Sequence, residues 1–251
     1  MAENSKIEWT DHTFNPWIGC TKVSPACDGC YAENLMANRY QRVQWGPGED
    51  RQRTGEANWR KPIAWNKAAQ AAGMRPFVFC SSLADVFDNE VDEKWRYDLM
   101  NLIEATPNLI WLLLTKRIGN VVRMTDPARG HRMLPRNVAI GATIANDEEY
   151  ERDSGKLWAV KQTLEPLFTF GSFEPLLGRV TLGQFAPDWI IAGGETDQGS
   201  HKARETPTEH FRHLRDKSRE FGRAFFMKQM TRKAPIPDDL LIRQWPIARA
   251  A

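Results

Sequence analysis

Three of the chain's four cysteines lie in one short stretch, Cys20, Cys27 and Cys30, with the spacing C-x6-C-x2-C and Tyr31 directly after. Cys80 stands alone. In a chain read as cytoplasmic, a tight thiol cluster points to metal binding or redox chemistry before disulfides. Thiolates are soft ligands that suit zinc or an iron–sulfur cluster. Three cysteines from one loop can hold three irons of a [4Fe–4S] cube and leave the fourth iron open to a small-molecule chelate. A structural zinc is the alternative, with His12 or Cys80 as candidate fourth ligand. Zinc modules usually carry two CxxC pairs, and here the second pair is missing.

A reactive loop of this kind needs rigid elements to carry it. Short apolar runs recur at 14–19, 77–80, 109–114, 138–142, 167–171, 189–192 and 224–227, each ending in polar or small residues. Continuous apolar runs of this length predict strands buried on both faces. Segments between them have helical character, notably 92–105 and 207–221, the latter with Thr206 as expected N-cap and Pro207 at the first helical position. Strands alternating with helices predict an α/β fold with a parallel sheet, here a partial (β/α) barrel of six or seven strands. Such barrels place their sites at the C-terminal strand ends. The first run leads into the cysteine loop, so the loop joins the rim formed by Ser81, Ser82 and Asp85, by Thr115, Lys116 and Arg117, by Glu174, by Gly193, Gly194 and Glu195, and by Lys228.

The rest of the sequence bounds this reading. At roughly 150 residues per domain, 251 residues allow one barrel domain, assigned to 1–233, with an irregular insertion lacking strand-like runs at 41–72. A tail or cap is expected at 234–251. Hydrophobic residues make up 41% and charged residues 26%, ordinary for a globular domain with a sizeable core. The longest apolar run is far short of the ~20 residues that span a bilayer, and the polar start lacks a signal-peptide pattern. The expectation is therefore a cytoplasmic protein with no membrane partner. The net charge of +2 does not by itself imply nucleic acid. Two local stretches do raise it. In 39–67, Arg39, Arg42, Arg51, Arg53, Arg60, Lys61 and Lys67 interleave with Tyr40, Trp45, Trp59 and Trp65. In 212–233, basic residues outnumber acidic ones. Cations that track phosphates and aromatic faces that stack on bases are the elements of a single-strand groove. The competing reading makes Trp59 and Trp65 core anchors and 212–233 a solvated helix face.

The cysteine segment "KIEWTDHTFNPWIGCTKVSPACDGCYAENL", with "LLLTKR", "FEPLLG", "DWIIAGGE" and "FFMKQ", resembles the radical S-adenosylmethionine enzymes. More closely, it is similar to a phage- and bacteria-associated family of radical-SAM-like three-cysteine proteins of unknown function. The Cys30-Tyr31 pair also resembles spore photoproduct lyase, a radical SAM enzyme of DNA repair, over a few residues. The resemblance implies a radical-SAM-like barrel with a [4Fe–4S] cluster on Cys20, Cys27 and Cys30. It implies S-adenosylmethionine chelated to the open iron, cleaved to a 5′-deoxyadenosyl radical, with an electron donor such as flavodoxin or ferredoxin. The substrate stays open, with nucleic acid or a nucleotide, for repair or modification, the class slightly favoured. This chain has six residues in the first cysteine gap where the usual pattern has three. Its Gly193-Gly194-Glu195 segment follows about the sixth strand, where the usual Gly-Gly-Glu segment follows the second.

Within this reading the candidate cofactor-binding residues are Ser81, Ser82, Asp85, Lys116, Arg117, Glu174, Gly193, Gly194 and Glu195. Ser81, Ser82 and Asp85 would meet the amino-acid end of the cofactor, or else cap the next helix. Lys116 and Arg117 form a basic rim suited to a carboxylate or phosphate. Glu174 and Glu195 read as buried or partnered carboxylates, Lys228 as a neutralising charge and Cys80 as a small packed residue. His12, His210 and His213 read as surface or capping residues. Two further function classes stay open. One is a non-catalytic nucleic-acid-binding protein with zinc on its cysteines, the other an iron–sulfur redox sensor.

Overall fold

The computed structural model describes residues 5–248. Its strands are β1 (His12–Thr13), β2 (Trp17–Ile18), β3 (Gln52–Arg53), β4 (Phe77–Cys80), β5 (Ile110–Thr115), β6 (Val138–Thr143), β7 (Thr169–Phe173), β8 (Trp189–Gly193) and β9 (Ala224–Gln229). Its α-helices are α1 (Tyr31–Glu33), α2 (Glu56–Trp59), α3 (Lys61–Ala72), α4 (Glu93–Glu104), α5 (Val121–Met124), α6 (Asp147–Leu164) and α7 (Thr208–Glu220). Seven strands form one parallel sheet in the order β1-β4-β5-β6-β7-β8-β9, curled into a half-barrel. This is the partial (β/α) barrel that the run spacing predicts.

The sheet has two differently packed faces. Val78, Trp111, Ile140, Ile190 and Phe225 meet the apolar stripes of the helices, including Leu99, Leu157 and Phe211. In α4 the buried face recurs as Arg96, Leu99, Met100 and Ile103, with Arg96 its one charged member, the spacing of one helical face. The concave face carries Trp9, Phe77, Phe79, Leu112, Phe170, Trp189 and Phe226. Here the tryptophans and phenylalanines plug the lower barrel, with Trp189 against Trp9 at 6.2 Å and Phe226 at 6.1 Å. Caps set the helix starts. The Asp92 side chain accepts from Lys94 N at 2.8 Å, and that of Asn146 from Glu149 N at 2.9 Å.

Three expectations need correction. The run 14–19 is not the first barrel strand. The sheet takes only His12–Thr13, continued by Phe14 N donating to Phe79 O at 3.0 Å. Pro16 has no N–H to extend the ladder, and Trp17–Ile18 pairs antiparallel with β3 instead. The insertion at 41–72 is not irregular throughout, since it holds β3, α2 and α3. Pro62, Trp65 and Ala69 supply the buried side of α3, a stripe thinned by alanine and polar neighbours. At α7 the capping position belongs to Pro207, because the Thr206 hydroxyl donates to the Leu176 carbonyl.

The C-terminal segment runs along the free edge of β9. Met227 N donates to Ile242 O at 2.9 Å and Gln244 N to Phe225 O at 3.0 Å. The Trp189 indole donates to Gln244 O at 2.9 Å. The tail thus covers an edge that would otherwise expose unpaired backbone groups. Among the described residues no helix is long and apolar enough to cross a membrane.

Candidate functional site

Alternate residues of a strand share a face, so the inward series can be followed upward. It runs Leu112, Leu114, Lys116 from β5; Ala139, Gly141, Thr143 from β6; Phe170, Ser172, Glu174 from β7; and Phe226, Lys228 from β9. Each series is apolar at the bottom and polar at the C-terminal mouth. Two adjoining cavities occupy that mouth. The first, about 130 Å³, is lined by Cys20, Cys27, Cys30, Ser81, Asp85 and Lys116, among others. The second, about 230 Å³, shares Cys30, Ser82 and Lys116 with it and adds Trp9, Tyr31, Ser172, Glu174, Glu195 and Lys228. The fold thus gathers the three cysteines and most of the rim residues into one region. Gly193 lies behind Glu174, where an added Cβ would sit 3.0 Å from Glu174 Cγ.

Each end of the cysteine loop has its own anchor. At Cys20 the anchor is Arg117, which donates to Cys20 Sγ at 3.4 Å, to Asp85 Oδ2 at 3.2 Å and to the Thr21 carbonyl at 2.9 Å. Asp85 is fixed in turn, accepting from Thr115 Oγ1 at 2.7 Å, Phe87 N at 2.9 Å and Lys116 N at 3.0 Å. Burial pushes the Cys20 thiol up to about 11; nearby Asp85 adds to the rise and Arg117 opposes it. Burial also raises the Cys30 thiol, against hydrogen bonds from the Glu33 backbone and the positive charge of Lys116.

At the other end, Pro25–Cys27 is a short 3-10 turn opened by Ser24, whose side chain accepts from Ala26 N at 3.1 Å. Cys30 begins α1. This half is held by Arg204, which donates to Glu195 Oε2 at 2.9 Å, to Asp28 Oδ2 at 3.0 Å and to the Pro25 carbonyl at 3.0 Å. His201 Nε2 lies 3.2 Å from Glu195 Oε2. Glu195 is 5% exposed; burial raises its pKa, but hydrogen bonds from Arg204 and His201 win and hold the carboxyl down at about 2. Gly29 lets the loop seat here, since a Cβ on it would lie 2.8 Å from Glu195 Oε1. Glu195 thus lines the mouth while its carboxylate clamps the cysteine loop. Gly194 serves a close approach as well, but to the backbone: a Cβ there would lie 2.2 Å from Thr231 N.

Ser81 and Ser82 gather around Asn15, with hydroxyls 3.4 and 3.3 Å from Asn15 Oδ1, which also accepts from Leu83 N at 2.7 Å. Asn15 is 1% exposed, and its carbonyl accepts from Thr54 and Asn58. Glu174 pairs with Lys228 across the second cavity. Asn15, Arg204, His201 and Trp9 escape the sequence reading. None carries a spacing signal: Asn15 acts through Leu83, and His201 and Arg204 reach Glu195 across an irregular loop.

Part of the basic stretch 39–67 is consumed internally. Arg51 is buried on Asp88 at 2.9 Å and on Glu90. Arg53 covers the Trp59 ring at 4.0 Å, and Trp65 stacks on His12 at 4.4 Å. Trp65 is therefore a core anchor and Trp59 packs beside it, so neither supplies a stacking face. In 212–233, Arg212 and Arg215 share Asp239, Lys217 meets Glu220, Arg223 meets Asp188 and Arg232 meets Glu205. Neither candidate fourth zinc ligand lines the cysteine cavity. His12 is stacked on Trp65, and Cys80 is buried on the helix-facing side. Among the described residues no three Cys, His, Asp or Glu side chains are grouped to hold a single metal ion.

The family described as "Protein of unknown function (DUF5131)" matches residues 4–237. No curated protein and no solved structure matches the chain.

Proposed function

We propose that this chain, which belongs to the DUF5131 family, is a cytoplasmic radical S-adenosylmethionine enzyme that acts on nucleic acid or a nucleotide. One observation carries the reading: Cys20, Cys27 and Cys30 line a single cavity at the C-terminal mouth of a parallel half-barrel, with no histidine or fourth cysteine in the lining. A four-coordinate zinc needs its ligands about 2.3 Å from one point. Three thiols spread around a space, with no histidine or fourth cysteine and with the lining carboxylate of Asp85 already engaged by Thr115, Lys116 and Arg117, better fit a cluster that keeps one iron open.

Cys20, Cys27 and Cys30 would hold the [4Fe–4S] cluster. When bound, such a cluster would supply one-electron reduction of S-adenosylmethionine, with the electron drawn from a flavodoxin- or ferredoxin-like donor, and so cleavage of the sulfonium C–S bond to methionine and a 5′-deoxyadenosyl radical. The chain supplies position and environment. Arg117 and Arg204 fix the two ends of the loop. Lys116 presents a positive charge between the cavities, suited to a carboxylate. Ser81 and Ser82, ordered by Asn15, offer hydroxyls beside the cysteines. The aromatic floor of Trp9, Phe79 and Phe170 excludes water from below.

The test is anaerobic reconstitution, analysis of iron and sulfide, then reduction in the presence of S-adenosylmethionine. The expected products are 5′-deoxyadenosine and methionine. Stoichiometric zinc with no iron uptake, or a reduced cluster that binds no S-adenosylmethionine, would overturn the reading.

A further inference from the structure

We propose that the barrel mouth binds a phosphate-bearing nucleotide ligand, guided by a line of lysines, Lys6, Lys233, Lys228 and Lys116, that ends at the cysteine loop. What then happens to the ligand rests on the function proposed above; its binding does not.

Where β9 meets the tail, a third cavity of about 250 Å³ is lined by Lys6, Lys228, Lys233 and Arg243, with Glu8 and Gln229. It shares Lys228 and Gln229 with the larger mouth cavity, which shares Lys116 with the cysteine cavity. The acids on this route are already matched. Glu8 is held by Arg243 at 2.7 Å, Glu174 by Lys228 and Glu195 by Arg204. Lys6, Lys233 and Lys116 have no carboxylate partner among the described residues. The route therefore carries an excess of positive charge from the surface inward.

One further observation points to an anionic ligand. Thr143 and Ser172 are direct cross-strand partners, each 3% exposed, and both line the mouth cavity. Their hydroxyls have no hydrogen-bond partner among the described residues and their oxygens are not fully buried, so they face the cavity as free donors. Beside Lys116 they suit a charged oxygen. At the outer end, Arg232 and Lys233 both take left-handed backbone, φ 51° and 57°, which is uncommon for non-glycine residues. Arg232 is tied to Asp197 at 3.5 Å and to the Ala203 carbonyl at 2.6 Å, while Lys233 faces the cavity. Tyr31, 56% exposed, lines the same mouth and offers a ring face to a base.

The full chain, cluster-loaded and metal-free, is titrated with a fluorescein-labelled oligothymidylate at a series of salt concentrations, with dTMP as competitor. The expected result is tight binding at low salt that weakens steeply as salt rises. A double variant, Lys6→Gln with Lys233→Gln, should flatten the slope of log K against log salt by about 1.4, at about 0.7 per lost phosphate contact on a single strand. Arg219→Gln and Lys67→Gln, exposed cations off this route, should leave it unchanged. Competition by dTMP with the same lysine dependence identifies a free nucleotide as the ligand; strand binding without it identifies a polynucleotide. No binding at low salt, equal binding by the double variant, or loss in the two controls overturns the proposal. Metal-free protein separates the two readings, because phosphate binding without iron uptake removes the enzyme reading alone. Iron uptake and S-adenosylmethionine cleavage without phosphate binding remove this inference and the nucleotide substrate with it, and leave the radical enzyme standing.

Discussion

Arg117 lies against Cys20, its Nη1 donating to the thiol sulfur at 3.4 Å. The same guanidinium meets Asp85 at 3.2 Å and Asp88 at 3.6 Å, all three side chains being almost fully buried. A buried charge stripped of its partner is costly, about 3–5 kcal/mol. Arg117→Met should therefore lower stability by about 3 kcal/mol in urea unfolding, and adding Asp85→Asn should recover part of the loss. An unchanged urea midpoint would show that Asp85 has no need of this cation.

The cysteines should separate cleanly. Cys27→Ala should abolish iron binding after anaerobic reconstitution. Cys80→Ala should retain it, because Cys80 is fully buried on the helix-facing side, away from the cavity. Iron and sulfide analysis reads both variants. Equal loss in the two would mean that the ligand set is wrong.

Glu195 makes a pH prediction. Its folded-state pKa lies near 2, below the usual 4.5. A depressed carboxylate contributes stability that is fully present above its unfolded pKa and is lost as pH falls through the folded value. The difference in Tm between wild type and Glu195→Gln should thus be level above about pH 5.5 and shrink steadily as the pH drops toward 2. A difference that stays constant down to pH 3 would place the contribution in packing instead of charge.

Asn15 tests the support beneath the two serines. Its amide oxygen accepts from the buried Leu83 N–H at 2.7 Å. Asn15→Ala removes that acceptor and leaves a buried donor unpaired, at about 1–3 kcal/mol. Asn15→Asp keeps an acceptor, but buries a charge at a position 1% exposed. Thermal unfolding should rank wild type above both. If Asn15→Ala matches wild type, the hub has no structural role.

The barrel was legible because its strands are buried on both faces, so β4 to β9 each leave a mostly apolar run with a polar end, broken only by Thr169 and Ser172 in β7. β1 was not, because two residues leave no pattern and Pro16 diverts the chain just after it. The rim residues were visible as types at strand ends, but their pairing was not. Gly193-Gly194-Glu195 reads as a ligand loop, yet Glu195 is engaged by Arg204, nine residues on across an irregular loop. Basic residues in 39–67 look like a phosphate track until Arg51 is seen buried on Asp88. Charge counting sees composition; only the fold shows which cations already have partners.

Gly29 brings the loop and its clamp to one test. A Cβ there would meet His201 Cδ2 at 2.7 Å and Glu195 Oε1 at 2.8 Å. The His201 ring has room to yield, with its side chain 24% exposed. Glu195 does not, because Arg204 grips both its oxygens. Gly29→Ala must therefore lift the cysteine loop off Glu195, at about 1–3 kcal/mol for an overpacked contact. The lift acts on Cys27 and Cys30, while Cys20 keeps its separate anchor on Arg117. In metal-free protein, timed alkylation with mass mapping should show Cys27 and Cys30 reacting several-fold faster in Gly29→Ala, with Cys20 unchanged. Uniform acceleration at all three thiols would mean that the two anchors act as one.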